Sequence, residues 1–356
     1  MHNTVKVDLG KDSYDIIVGD NFVESIENFS KKSRSKFMLI TQKVIYQSFE
    51  KEFAILESLS NVEIYFIDQG EKAKSIETAI DISNKMSTMQ YDRSSTIFAV
   101  GGGVVGDVAG FVASIFMRGI NYVQYPTTLL AMLDSSIGGK TGVNLESGKN
   151  LIGRIHQPEA VIIDLSFLST LPQREINASL AEAIKYGFIY DRDLFDYIVE
   201  NMSNILTKRD EDVLEKIILR SCEIKSEVVS KDVNENDLRM ILNFGHTIGH
   251  GLEAYFQYKT LLHGEAIIYG MKCALHLSHT IGSLSHEEYR LGLKAFSDFT
   301  LPSIDIKEKK NILEFVKRDK KFRQEKIRFV LISEIGTADI SNEITLDHIE
   351  ESLEVL

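Results

Sequence analysis

The feature that most constrains this chain is the alternation of short apolar runs with helix-like stretches along its first half. Strand-like runs lie at Lys36–Thr41, Glu63–Asp68, Thr96–Val100, Tyr122–Tyr125 and Ala160–Asp164. Between them, at Gln42–Leu56, Ser75–Met89 and Val104–Ile115, helical stretches intervene. Strands joined through helices pair in parallel by crossing over, so this pattern implies a parallel sheet with helices on both faces. Ahead of it, Val5–Leu9 and Tyr14–Val18 flank Gly10-Lys11-Asp12 and read as a hairpin. From Pro172 onward the period becomes helical, as at Ile176–Phe188, Val213–Val229 and Ala266–His279. One late strand-like run, Ile327–Ser333, packs at the edge of this half. With 356 residues the chain can build two cores. The expected organisation is an α/β domain over 1–170 and a mainly α-helical domain over 171–356, with a ligand in the cleft between them.

The formal net charge of -12 excludes nucleic-acid binding by bulk electrostatics, which requires a basic footprint. Local cationic clusters can still capture a small anion. Two cysteines, Cys222 and Cys273, with no CxxC spacing, argue against a disulfide framework and a thiolate metal site. The sequence shows neither a signal-peptide pattern at its N-terminus nor an apolar run long enough for a membrane span, so a cytoplasmic location is expected.

Chemistry is carried by three groups of residues. In the first, the strand Thr96–Val100 runs into Gly101-Gly102-Gly103-Val104-Val105-Gly106-Asp107, which satisfies GxGxxG. Glycines there let backbone approach a pyrophosphate at a helix N-terminus, although tight packing alone would also select them. The turn follows a later strand, and Thr127-Thr128 stand where an acidic residue would be expected, so the arrangement is Rossmann-like but not standard. The second group is Ser135-Ser136-Ile137-Gly138-Gly139-Lys140-Thr141 with Gly148-Lys149-Asn150 and Arg154. Asp134 occupies the place of the first Walker A glycine, which disfavours a P-loop ATPase. Glycine next to lysine suits anion capture, or simply a solvated basic loop.

The third group contains His246 and His250, four apart, with His263 thirteen residues on, and Glu182 one turn from Lys185 among small apolar residues. Two imidazoles and a carboxylate make an open site for a divalent metal. Spacing alone would pair His246 with His250.

Together these segments resemble the 3-dehydroquinate synthase family of sugar phosphate cyclases. The similarity is strongest at Gly101–Gly119, Tyr125–Gly153, Ala178–Gly187, Asn243–His250 and Leu262–Met271. The resemblance implies conversion of 3-deoxy-D-arabino-heptulosonate 7-phosphate into 3-dehydroquinate within the shikimate pathway. Transient oxidation by NAD, β-elimination of phosphate, re-reduction and an intramolecular aldol step would follow one another. It further implies Glu182, His246 and His263 as ligands of Zn²⁺ or Co²⁺, which makes His250 a substrate-facing residue instead. On the cofactor it implies Gly103, Val104, Val105, Gly106, Asp107, Thr127, Thr128, Lys140 and Lys149. The adenosine side would use Glu71 and Lys74, and Phe167, Leu168, Ser169 and Thr170 would close over the nucleotide. Substrate anions would meet Lys140, Asn150, Lys185, Lys225, Arg239, Asn243 and His250. Arg118 would act near the phosphate across a homodimer interface, and Lys320 is a further candidate, with Lys321 as the alternative. The chain departs from the family pattern at Thr41-Gln42-Lys43, where an acidic ribose contact is absent, and at Gln69. A metal-dependent glycerol or alcohol dehydrogenase, and a sister cyclase acting on another sugar phosphate, are the competing readings.

Overall fold

The computed structural model describes residues 2–146, 148–233, 238–304, 309–317, 322–323 and 326–356. They form two compact units: Met1–Leu171 with Lys225–Ser230, and Pro172–Ile224 with Lys231–Leu356.

The first unit is built on β1 (Asn3–Val7), β2 (Tyr14–Val18), β3 (Phe37–Gln42), β4 (Val62–Ile67), β5 (Thr96–Gly101), β6 (Asn121–Pro126) and β9 (Ala160–Ile163), with the hairpin β7 (Lys140–Leu145) and β8 (Gly148–Ile155) apart from them. The seven-stranded sheet runs β1-β2-β9-β6-β5-β3-β4. Only β1 and β2 pair antiparallel; the other neighbours are parallel. All six residues of β5 and five of the six in β3 are buried, so these strands read as continuous apolar runs with both faces covered. The helices are α1 (Phe22–Lys32), α2 (Lys43–Ser48), α3 (Glu50–Glu57), α4 (Ile76–Thr88) and α5 (Gly103–Ile115). Asn21 and Ser75 cap α1 and α4 through side-chain oxygens. In contrast α5 begins at Gly102 without a side-chain cap, directly beyond β5.

The second unit holds α6 (Gln173–Ile189), α7 (Arg192–Lys208), most of α8 (Glu211–Lys231), α9 (His246–Tyr255), α10 (His263–Thr280), α11 (His286–Lys294), α12 (Lys309–Lys317) and α13 (Leu346–Ser352). Two small hairpins accompany them: β10 (Phe322–Arg323) with β11 (Lys326–Ile327), and β12 (Phe329–Glu334) with β13 (Thr337–Ser341). Helix α10 is central, touching α6, α9, α11, α13 and β12. Its neighbours come unusually close at two glycines. A Cβ on Gly264 would lie 1.8 Å from the Ala178 carbonyl oxygen of α6, and one on Gly270 would lie 1.9 Å from the Gly245 oxygen at the head of α9. Only glycine permits these crossings; Gly264 directly follows His263, and Gly245 directly precedes His246. No helix among the described residues is long and apolar enough to cross a membrane.

Candidate active site

Helices α6, α9 and α10 bring four polar side chains to one point of the second unit. Glu182 comes from the buried middle of α6, with 1 % of its surface exposed. His246 and His263 are the first residues of α9 and α10, so their rings leave the helix starts toward Glu182. Glu182 Oε1 stands 3.4 Å from His246 Nε2 and 3.6 Å from His263 Nε2. The exposed His250, one turn along α9, completes the cluster: ring nitrogens of His246, His250 and His263 lie within 4.8 Å of one another. Lys185, one turn beyond Glu182 and equally buried, donates to Glu182 Oε2.

His246 and His263 each have the other ring nitrogen engaged. His246 Nδ1 meets the Phe244 carbonyl oxygen at 3.1 Å, and His263 Nδ1 meets Glu253 Oε2 at 3.2 Å. A carbonyl and a carboxylate can only accept, so Nδ1 carries the proton and Nε2 offers its lone pair in both neutral rings. Their charging tendencies diverge. Burial holds the His246 imidazole well below its ordinary range, and Lys185, His250 and His263 add to this against the pull of Glu182. Burial acts the same way on His263, but hydrogen bonds and attraction from Glu182 and Glu253 outweigh it and raise the group to about 10.

Arg239 lies nearby in sequence, in a turn of 3₁₀ helix before α9, and is 2 % exposed. Its Nη1 donates to Val233 O at 2.9 Å, while its Nε has no hydrogen-bond partner among the described residues. A buried guanidinium with a donor to spare suits an anion. Asn243 ends the same turn. Lys320 and Lys321 lie outside the described residues.

In the first unit the glycine turn has the shape its spacing suggests. Gly101 ends β5, and a Cβ there would sit 2.3 Å from the Val105 side chain; one on Gly106 would sit 2.6 Å from Gln124 Oε1. Gly103, Val104 and Val105 form the first turn of α5. Asp107 follows one turn in and pairs with the buried Lys74. Burial raises the Asp107 carboxyl, opposed by Lys74. Thr127 N donates to Gly101 O at 3.0 Å, and Thr128 Oγ1 accepts from Ala131 N at 3.2 Å, so both threonines brace the loop beside the turn. Glu71 lies by the β7–β8 hairpin, accepting from Asn144 Nδ2 at 2.8 Å with Lys149 at 3.8 Å. Lys140 opens β7, and Asn150 on β8 adopts φ 55, its amide held by Asn144 Oδ1 at 2.9 Å.

Phe167 and Leu168 are core residues: Phe167 packs on Phe22 and Phe49 with ring centroids at 4.7 and 4.9 Å. Ser169 and Thr170 finish that 3₁₀ turn, their hydroxyls donating to Ser166 and Phe167 carbonyls. Arg118 is exposed beyond α5, in a bend where Met117 and Arg118 both take left-handed φ, 49 and 69. Gln42, at the acidic-residue departure, donates to Asp68 O at 3.0 Å.

Two residues escaped the sequence reading. Asp134 holds the buried Lys225, whose Nζ donates to its Oδ1 at 2.9 Å and its carbonyl at 2.6 Å. Glu253 holds His263. For Glu253 a sequence signal exists: it lies seven residues after His246, on the same face of α9. For Asp134 there is none, since its partner is ninety-one residues away.

Residues 64–178 match the family described as 3-dehydroquinate synthase N-terminal, and residues 179–322 match its C-terminal counterpart. A 3-dehydroquinate synthase of Dictyoglomus thermophilum is 43 % identical over 336 residues, covering 94 % of this chain and 93 % of that protein. Among solved structures, 2-epi-5-epi-valiolone synthase from Streptomyces hygroscopicus, with NAD⁺ and Zn²⁺ bound, is 27 % identical at a TM-score of 0.87, covering 96 % of both chains. A 2-deoxy-scyllo-inosose synthase complexed with carbaglucose-6-phosphate, NAD⁺ and Co²⁺ is 26 % identical at a TM-score of 0.85, covering 99 % of both. Matches of this extent, spanning the glycine turn and the Glu182–His246–His263 cluster alike, place the chain in the 3-dehydroquinate synthase family.

Proposed function

We propose that this chain converts 3-deoxy-D-arabino-heptulosonate 7-phosphate into 3-dehydroquinate and inorganic phosphate, as a phosphate-eliminating lyase of the shikimate pathway that uses NAD and one divalent ion, Zn²⁺ or Co²⁺. One observation carries the reading: three donors from three helices meet at 3.4 and 3.6 Å. Two ligand atoms each about 2.0–2.1 Å from a tetrahedral ion stand roughly 3.3–3.4 Å apart, so the donor set has the dimensions of a coordination shell. Glu182 Oε1, His246 Nε2 and His263 Nε2 would hold the ion and leave positions open for substrate oxygens. The first turn of α5 would hold the pyrophosphate on the N–H groups of Gly103, Val104 and Val105, which no side chain caps, while Gly106, whose N–H already donates to Gly102 O at 3.1 Å, lets the phosphate approach the backbone. Lys74, Glu71, Thr127, Thr128, Lys149 and the backbone of Phe167–Thr170 would line the rest of the cofactor. The nicotinamide supplies a hydride acceptor and donor when bound, and the divalent ion supplies positive charge for vicinal oxygens.

The remaining roles fall to the chain's own side chains. Lys185, fixed on Glu182 Oε2, orients a substrate oxygen and balances its charge. His250, the exposed member of the cluster, presents a ring nitrogen to the substrate. Arg239 and Asn243 grip the carboxylate, which the competing sugar phosphates lack. Lys140, Asn150 and Lys225 receive the phosphate group, Lys225 being aimed by Asp134. The departing phosphate itself accepts the proton in the elimination, so the protein's task there is positioning. In this reading residues 1–170 are the NAD-binding domain and 171–356 the metal- and substrate-binding domain. The enzyme works as a homodimer in the cytoplasm, with Arg118 of one subunit serving the other; its exposure at the end of α5 supports this.

The test is a phosphate-release assay on the heptulosonate phosphate, with product identified by NMR. Release requiring both NAD⁺ and a divalent ion, with 3-dehydroquinate formed, is expected. Stoichiometric accumulation of NADH without phosphate would instead establish a dehydrogenase.

A further inference from the structure

We propose that Glu253 is a positioning residue of the metal centre, acting through His263; this rests on the donor set proposed above. Glu253 lies near the end of α9, and His263 opens α10. The Glu253 side chain is 10 % exposed, and its Oε2 lies 3.2 Å from His263 Nδ1. A buried carboxylate requires a partner, and His263 is a donor only while its proton sits on Nδ1. The contact therefore selects the tautomer that leaves Nε2 as a donor atom, 3.6 Å from Glu182 Oε1. It also fixes the ring plane, which the open start of α10 does not otherwise determine.

The two histidines are held by unlike means. His246 has a backbone carbonyl on Nδ1, from Phe244 two residues away, and no side-chain substitution removes that oxygen. His263 depends on a side chain ten residues away on another helix. A carboxylate also makes the ring a stronger electron donor than a neutral acceptor does, so this histidine is the tunable one. The start of α10 is already fixed independently of Glu253. Glu265 accepts from Leu262 N at 2.8 Å and is gripped by Arg174 of α6 at 2.7 and 2.8 Å, with Arg174 also donating to Thr260 O at 3.1 Å. Removing the Glu253 carboxylate should therefore release the ring and leave the helix in place.

The test compares Co²⁺ and Zn²⁺ affinity, by competition with a chelator, for the full-length wild type, Glu253→Gln, Glu253→Ala and Glu182→Ala, alongside the Tm of each metal-free protein. Loss of such a partner typically weakens metal binding about 10–100-fold. Glu253→Ala is expected near the upper end of that range. Glu253→Gln, which keeps the shape and an acceptor oxygen but not the charge, is expected near the lower end, with a metal-free Tm close to wild type and a shifted Co²⁺ absorption spectrum. Wild-type affinity and spectrum in Glu253→Gln would overturn the proposal, whether or not Glu253→Ala folds. Unchanged affinity in Glu182→Ala would overturn the donor set itself and leave a different signature.

Discussion

At the scale of single residues, the site is a set of charges whose burial is offset by specific neighbours. Lys185 and Glu182 are both buried and pair with each other, so removing either takes a charged partner from the other. Lys185→Ala is expected to lower turnover by about 100-fold or more, the usual cost of deleting one preorganised electrostatic contact. NAD⁺ affinity, measured by fluorescence titration, should stay near wild type because the glycine turn lies in the other unit. Turnover within a few-fold of wild type would remove Lys185 from the mechanism. His263 gives a proton-linked prediction. Its folded pKa of about 10 lies above the ordinary 6.5, so in the metal-free protein it favours folding at low pH, and this contribution fades as pH rises through about 10. Metal competes for the same ring, so binding at pH 8 should release about one proton, measured by calorimetry in buffers of differing ionisation enthalpy. The release should diminish above pH 10. His246, held neutral by burial, contributes nothing to it.

At the scale of elements, the site depends on how closely three helices approach. Gly264 follows His263 and touches the Ala178 carbonyl one turn before Glu182. Gly264→Ala should push α6 and α10 apart, destabilise the protein by about 1–3 kcal/mol in chemical denaturation and weaken metal retention together. A stable variant with intact metal would mean the crossing does not set the donor spacing. Strands and helices were legible where burial was simple. The runs at Thr96–Val100 and Tyr14–Val18 became β5 and β2 because their apolar residues face covered surfaces. The stretch Gln42–Leu56 reads as one helix but breaks at Phe49, which turns inward at φ -132 to pack on Phe22 and Phe167. The glycine–lysine segments around Lys140 and Lys149 read as loops, yet they form the hairpin β7–β8. Most of β8 is exposed and shows no alternation of buried and exposed residues, so its strand character comes from cross-strand pairing. Helical spacing pointed to His246 with His250. The sequence could group Glu182 and His263 with them as candidates, but spacing could not choose the ligand set, because those two arrive from α6 and α10, and only the family resemblance implies Glu182, His246 and His263.

At the scale of the molecule, a chain of net charge -12 is proposed to bind a substrate with two anionic groups through local cations. Lys140, Lys149 and Lys225 belong to the first unit, and Lys185 and Arg239 to the second. The linear boundary read near residue 170 has a counterpart that sequence could not show: Lys225–Ser230, within helix α8, groups with the first unit through contacts such as Lys225 with Asp134. All three proposed metal donors lie in the second unit, and the glycine turn lies in the first, so the account stands or falls on the ion's position. The most direct measurement is anomalous diffraction from crystals of the Co²⁺- or Zn²⁺-loaded protein. The account predicts one peak within bonding distance of Glu182 Oε1, His246 Nε2 and His263 Nε2. A peak elsewhere, or stoichiometric metal with none at these three atoms, would contradict it.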